Sequence, residues 1–115
     1  MARVVAVFDD LLLGSNVLGM LRAAGHEATL AGAAVTMPAA DVLIVDLGSA
    51  GFDGVELVER LRASGDLGTA RTLGVYSHVH HDVRLRAEEA GFDLVVPRSR
   101  MAREGAVLVD KLAAP

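Results

Sequence analysis

The sequence contains no cysteine among its 115 residues. This absence excludes disulfide bonds, thiolate metal sites and cysteine nucleophiles, and it suits a reducing compartment. Aromatic residues are also scarce, with three phenylalanines, one tyrosine and no tryptophan. A hydrophobic core must therefore be built mainly from Val, Leu and Ala, a composition that suits parallel strands covered by helices.

Membrane and nucleic-acid signals are missing as well. No apolar run approaches the roughly 20 residues that span a bilayer, and the opening residues MARVVAVFDD do not follow the pattern of a secretory signal. The formal net charge of −4 argues against a broad nucleic-acid surface. We expect a cytoplasmic protein, with no membrane and no nucleic-acid partner, whose residues 1–115 form a single domain.

Five short apolar runs alternate with segments of helical spacing along the chain. The predicted strands cover residues 4–8, 27–31, 41–46, 72–77 and 92–97. The predicted helices cover about 14–24, 55–64, 78–90 and 100–113. Ser15 is the predicted N-cap of the first helix, and Pro38 shortens the second helix to a stub. This order predicts an α/β fold, a doubly wound five-stranded parallel sheet with helices on both faces.

Charged and hydroxyl side chains stand where four of the predicted strands end. Asp9 and Asp10 follow the first strand, Asp46 ends the third, Ser77 ends the fourth and Arg98 follows the fifth. Ligands of an open parallel sheet bind at this edge, and three carboxylates there favour a hard divalent cation such as Mg²⁺. A carboxylate oxygen beside such a cation can attack a phosphodonor, while a hydroxyl and a cationic side chain hold the phosphoryl oxygens.

Most of the sequence resembles the receiver domain of response regulators, the CheY-like superfamily. The similar segments are VVAVFDD, DVLIVDLGSAGFDGVELVERLR, and the stretch from YS through AEEAGFDLVVPRS. The middle segment is the most specific, because a strand, its terminal Asp, a short loop and the DG that opens a helix occur in the family's order. The resemblance implies a flavodoxin-like (βα)5 fold and a role in phosphorelay signalling.

Site residues of the receiver family can be placed on this sequence one by one. The resemblance makes Asp46 the phosphoacceptor. It makes Asp10 the direct metal ligand and Asp9 its more water-mediated neighbour, while the backbone carbonyl of Gly48 supplies a third protein ligand. The hydroxyl of Ser77 engages the phosphoryl group.

The sequence also departs from the family in the second half of this site. The family's Lys at the end of the fifth strand is Arg98 here, and the two cations are not interchangeable. The family's Pro follows that Lys, whereas Pro97 precedes Arg98, and Val95 stands where the family carries a switch aromatic. The 36 positions from Asp10 to Asp46 are about two helical turns fewer than usual, a deletion that falls on the second helix.

Three functions remain open from the sequence. The first is a non-enzymatic receiver that takes a phosphoryl group from a histidine kinase or another phosphodonor onto Asp46, with Mg²⁺, and signals to a downstream protein or through a homodimer. The second is a degenerate receiver that acts as a phosphorylation-independent interaction module, which Arg98, Val95 and the short second helix favour. The third is a flavodoxin-like binder of a nucleotide or flavin; the small number of aromatics and the lack of a Gly-rich phosphate loop argue against it.

Several of these residues also have plain structural interpretations. Asp9 and Asp10 could cap the first helix, and Ser77 could cap the helix that follows it. The histidines 78, 80 and 81 are expected to be solvated, since their spacing is poor for zinc. The leucines 11–13 are expected to pack in part under the first helix, and a leucine left exposed there would mark a protein-docking surface.

Overall fold

The computed structural model describes residues 1–33, 39–77 and 81–114. Within them, five strands and four helices follow the predicted order, apart from the predicted stub of a second helix. The elements are β1 (Arg3–Val7), α1 (Leu11–Ala23), β2 (Glu27–Ala31), β3 (Val42–Asp46), α2 (Gly54–Ser64), β4 (Arg71–Tyr76), α3 (His81–Glu89), β5 (Leu94–Pro97) and α4 (Arg98–Ala113). The predicted stub of a second helix falls on residues 34–38, which lie outside the described residues.

The five strands form one parallel sheet in the order β2-β1-β3-β4-β5. This confirms the predicted doubly wound five-stranded sheet. The chain leaves β1 toward β2 on one side and continues in β3 on the other, so the strand order reverses beside β1. Ligand sites of open α/β sheets lie at the carboxyl ends of the strands next to such a reversal.

Two apolar layers enclose the sheet, one on each face. Val4 and Ala6 of β1 pack with α1 and α4, while Val5 and Val7 pack with α2 and α3. This alternation follows from the two-residue repeat of a strand. All five residues of β3 are buried, because this strand lies at the centre of the sheet with helices on both sides.

The first helix begins earlier than predicted. It starts at Leu11, and its N-cap is Asp10, whose Oδ1 accepts a hydrogen bond from the Leu13 N–H at 3.1 Å. The predicted cap, Ser15, is wrong: it lies inside the helix and is exposed. Aspartate caps as well as serine does, and Asp10 directly follows the strand. The early start leaves Leu11 and Leu12 69% and 75% exposed in the first turn.

The end of α1 is as predicted. Gly25 follows the helix with φ +91°, a left-handed conformation that glycine adopts without strain. The N–H of His26 donates to Leu21 O at 3.0 Å, which closes the last turn.

None of the helices in residues 1–33, 39–77 and 81–114 has the length and apolarity needed to cross a membrane.

Candidate functional site

Strand register brings three of the predicted site residues to one point at the carboxyl end of the sheet. Asp46, the last residue of β3, lies opposite Val75 of β4, and Tyr76 of β4 lies opposite Pro97 of β5. Ser77 follows Tyr76 and Arg98 follows Pro97, so both lie beside the end of β3. The expectation that these three residues lie at one edge of the sheet is therefore confirmed, because the ends of parallel strands share that edge.

The carboxylate of Asp46 is buried, with a side chain that is 1% exposed. Its Oδ1 accepts a hydrogen bond from the Gly48 N–H at 2.9 Å. The Nη2 atom of Arg98 lies 3.4 Å from Oδ1 and 3.4 Å from Oδ2. A buried carboxylate is costly unless its charge is paired and hydrogen-bonded, and these two partners meet that requirement within the chain.

The guanidinium of Arg98 is only partly engaged by this contact. A single nitrogen sits between the two Asp46 oxygens, and 3.4 Å exceeds the usual length of about 2.7–2.9 Å for a charge-assisted hydrogen bond. The Nε atom is buried and has no hydrogen-bond partner among the described residues. The side chain as a whole is 39% exposed. Arg98 therefore keeps donors that can bind further oxygen atoms.

Gly48 lies between the three residues at the centre of the site. A Cβ atom there would lie 3.3 Å from Arg98 Nη2, 3.5 Å from Asp46 Oδ1 and 3.7 Å from the Ser77 backbone nitrogen. The missing side chain therefore leaves the space into which the guanidinium extends. Ser77 is half-buried next to this space.

Asp9 and Asp10 are exposed at the end of β1. The Asp9 carboxylate reaches over the loop after β3, where a Cβ atom on Gly51 would overlap Oδ2. Asp10 caps α1 through Oδ1, as the structural interpretation of this residue expects. Its role in metal binding stays a prediction. The carboxylates of Asp9 and Asp10 are exposed to solvent, whereas the carboxylate of Asp46 is buried.

The described side chains at this edge offer few ligands for Mg²⁺. Across residues 1–33, 39–77 and 81–114, no three His, Cys, Asp or Glu side chains gather closely enough to hold a metal ion. Mg²⁺ commonly uses one or two carboxylates and keeps several waters, so a mostly hydrated ion suits these residues. The ligand roles of Asp9, Asp10, Asp46 and the Gly48 carbonyl stay predictions. His81 is exposed on α3, and histidines 78 and 80 lie outside the described residues.

A polar connection between the site loop and α3 was not predicted from the sequence. Asp53, at the end of the loop that follows Asp46, caps α2 by accepting from the Val55 and Glu56 N–H groups at 3.0 and 3.1 Å. Its Oδ2 accepts from Arg86 Nη2 of α3 at 3.0 Å. Asp before a helical segment is a recognisable cap signal. Its partner Arg86 lies 33 residues away, and no local sequence pattern indicates this contact.

These contacts set the charge state of Asp53. Partial burial raises the pKa of the carboxyl, while the Glu56 N–H, the hydrogen bond and charge of Arg86, and the Val55 N–H lower it. The lowering contributions prevail, so the pKa lies below the ordinary value for aspartate. Asp53 is therefore ionised wherever the domain is folded near neutral pH.

No family model and no curated protein matches the sequence. Many solved structures nevertheless share its fold. The receiver domain of the Francisella response regulator 1452 matches with a TM-score of 0.84 at 16% identity, over 98% of this chain and 97% of that one. A response regulator receiver domain protein from Clostridium thermocellum matches with a TM-score of 0.83 at 14% identity, over 98% and 94% of the two chains.

The chemotaxis response regulator CheY4 of Vibrio cholerae is similar in the same way, with a TM-score of 0.82 at 19% identity over 97% of this chain and 98% of that one. At such low identities the likeness is one of fold. The expected receiver fold is therefore confirmed over nearly the whole chain.

Proposed function

We propose that this chain is a receiver domain of a two-component or phosphorelay system, in which Asp46 accepts a phosphoryl group. The observation that carries the proposal is the position of Asp46, at the end of the central strand with Arg98 and Ser77 beside it. The phosphodonor would be a histidine kinase or another phosphorylated molecule. The output would be contact with a downstream protein rather than turnover of a metabolite.

The proposed transfer forms one bond and breaks one. An Asp46 carboxylate oxygen bonds to phosphorus while the phosphorus–nitrogen bond of a phosphohistidine donor breaks, and the donor nitrogen keeps the electron pair and takes up a proton. Arg98 and the Ser77 hydroxyl would then hold the phosphoryl oxygens of the acyl phosphate. The spare donors of Arg98, including the buried Nε, support this role.

Mg²⁺ would be held by Asp9 or Asp10 together with Asp46 and the Gly48 carbonyl. When bound, it offsets the negative charge that gathers as the phosphoryl group approaches. The Asp10 cap bond holds that carboxylate at the end of β1, the position from which a ligand of the site must act.

Access to Asp46 requires Arg98 to move. With 1% of the carboxylate side chain exposed, a phosphodonor cannot approach either oxygen while the guanidinium lies 3.4 Å from both. The Arg98 side chain is 39% exposed and weakly bonded, so it can turn outward into solvent. We therefore expect phosphorylation to be slower than in a chain with the shorter, more flexible contact of a lysine.

The first experiment is to incubate the protein with Mg²⁺ and beryllofluoride, a mimic of the phosphoryl group, and to record amide NMR spectra. We expect shifts around the ends of β3, β4 and β5 in the wild type and their loss in Asp46→Asn. Asp66→Asn, which removes an exposed acid just after the end of α2, is the matched control and should respond as the wild type does. Wild-type spectra that stay unchanged would contradict the proposal.

A phosphorylation-independent interaction module is the second candidate, and the Asp46–Arg98 contact favours it. In that case Arg98 replaces the phosphoryl chemistry with a permanent ion pair that keeps the buried carboxylate satisfied. Arg98→Lys separates the two candidates. A wild-type response to beryllofluoride that grows in Arg98→Lys identifies the guanidinium as a brake on a competent site, whereas no response in either protein supports the interaction module.

A further inference from the structure

A buried histidine lies at the end of the sheet opposite the acidic site. His26 occupies the turn between α1 and β2, and 4% of its side chain is exposed. The Asp46 site is formed where the strands end, while His26 lies where β1 and β2 begin. The proposed phosphoryl chemistry makes no use of this residue.

The two ring nitrogens of His26 contact two different elements. Nδ1 accepts a buried hydrogen bond from the Ala2 N–H, just before β1, at 3.0 Å. An acceptor nitrogen carries no proton, so the ring is neutral and its hydrogen is on Nε2. Nε2 lies 2.8 Å from Oδ1 of Asp110 in the last turn of α4, although its N–H does not point straight at that oxygen.

We propose that His26 is an acid-released latch that ties the start of β1 and the last turn of α4 to the turn between α1 and β2. In the neutral ring, one nitrogen accepts from β1 and the other faces α4. Protonation places a hydrogen on Nδ1, directly opposite the Ala2 N–H. Two donors then face each other in a buried site, and the ring must leave it.

The charges around His26 do not compensate for this loss. The charged groups that face it or adjoin its contacts come from each neighbouring element: Asp110 of α4, Arg3 of β1, Arg22 of α1, Glu27 of β2 and the amino group of Met1. Arg3 and Glu27 pair with each other at 3.3 Å, and Arg22 donates to Ala28 O at 2.7 and 3.1 Å. Of these groups, Asp110 is the one whose negative charge lies in contact with the ring.

The attraction of Asp110 for a protonated ring is weak, because the side chain of this aspartate is 62% exposed and its charge is screened by water. The lost bond to Ala2 is buried, where an unpaired donor is most costly. Acid therefore favours the released form. Release removes the hydrogen bond to Ala2 and the contact with Asp110 together, since one ring makes both.

The test follows stability against pH in three full-length proteins. The bond from the Ala2 N–H needs an Nδ1 without a hydrogen, so acid should act against the latch. The wild-type urea midpoint should then fall as the pH falls. His26→Asn can still accept from the Ala2 N–H but does not titrate, and its midpoint should fall less. His81→Asn, which changes an exposed histidine on α3, should follow the wild type.

A second measurement stands without any variant. Nitrogen-15 NMR of the wild type at pH 7 should show His26 with its proton on Nε2, and acid should increase hydrogen exchange at the Ala2 amide and in the last turn of α4 in parallel. A ring protonated on Nδ1 at pH 7, or an Ala2 amide that keeps its protection once His26 is charged, would overturn the latch. Equal pH dependence in the wild type and His26→Asn would do the same.

Discussion

The last two helices of the chain are held in different ways. α4 has 16 residues and buries Met101, Gly105, Leu108 and Val109 against α1 and the sheet. α3 has nine described residues, of which Ala87 is the buried one. Apolar burial stabilises by roughly 25 cal/mol for each Å² removed from water, so α4 has the larger share of this stabilisation.

Polar contacts replace much of that burial in α3. Arg86 donates to Asp53, and Arg62 of α2 donates to Ala90 O at 2.6 Å, just past the end of the helix. An exposed ion pair such as Arg86–Asp53 contributes about 0–1 kcal/mol, and a single hydrogen bond such as the one from Arg62 contributes about 0.5–1.5 kcal/mol. α3 can therefore shift at lower cost than α4, and it is tied to the loop that follows Asp46.

Truncation of the apolar contact in α4 should produce the largest effect. Leu108→Ala removes a side chain that is 2% exposed in the core, and we expect the free energy of unfolding to fall by about 2–5 kcal/mol. Leu85→Ala in α3 is the matched control, because this leucine is 61% exposed. That change should stay within about 0.5 kcal/mol. Urea unfolding of both variants measures the contrast, and equal losses would break it.

Removal of the polar tie to α3 should have a smaller and more local effect. Asp53→Ala deletes both the α2 cap and the contact with Arg86, so we expect a loss of about 1 kcal/mol and faster amide exchange in α3. Asp53→Asn keeps a capping oxygen and removes the charge, which separates the two roles. We expect this variant to keep most of the stability and to speed exchange in α3 alone. Unchanged exchange in α3 in both variants would show that the Asp53–Arg86 contact does not hold the helix.

The fold was predictable because its strands have a plain signature. The central run DVLIVD is apolar and ends in an acid, and the structure has β3 at Val42–Asp46. The start of β5 was harder to predict from the sequence. Phe92 and Asp93 look like strand residues, but an Asp93 carboxylate oxygen accepts from the Thr72 N–H at 2.8 Å, and the strand begins at Leu94. The Asp93 side chain therefore binds the Thr72 N–H where a backbone carbonyl of a longer strand would otherwise do so.

Sequence reasoning brought together the polar residues that end strands and missed the contacts between distant segments. Asp46, Ser77 and Arg98 were placed because strand order alone brings them together. The pairs Asp53–Arg86 and His26–Asp110 depend on how helices pack on the sheet, which no local pattern records. The leucines at the start of α1 follow the expectation of partial packing, since Leu13 packs against the core while Leu11 and Leu12 are exposed in the turn that Asp10 caps.

Acidification should weaken the contact between Asp53 and Arg86 of α3. We expect its effect on stability to be smaller than that of Leu108→Ala or Asp53→Ala. The pKa of Asp53 in the folded protein lies below its ordinary value, so the carboxylate contributes stability that is fully present above about pH 4 and is lost as the pH falls through the lowered pKa. The side chain is 40% exposed, and screening keeps this contribution below about 1 kcal/mol. Urea midpoints of the wild type and Asp53→Asn at pH 6 and pH 3 isolate it, because the other carboxyls titrate in both proteins. We expect the gap between the two proteins to narrow at the lower pH. A constant gap would mean that Arg86 does not sense the charge of Asp53, and that α3 depends on its apolar contacts after all.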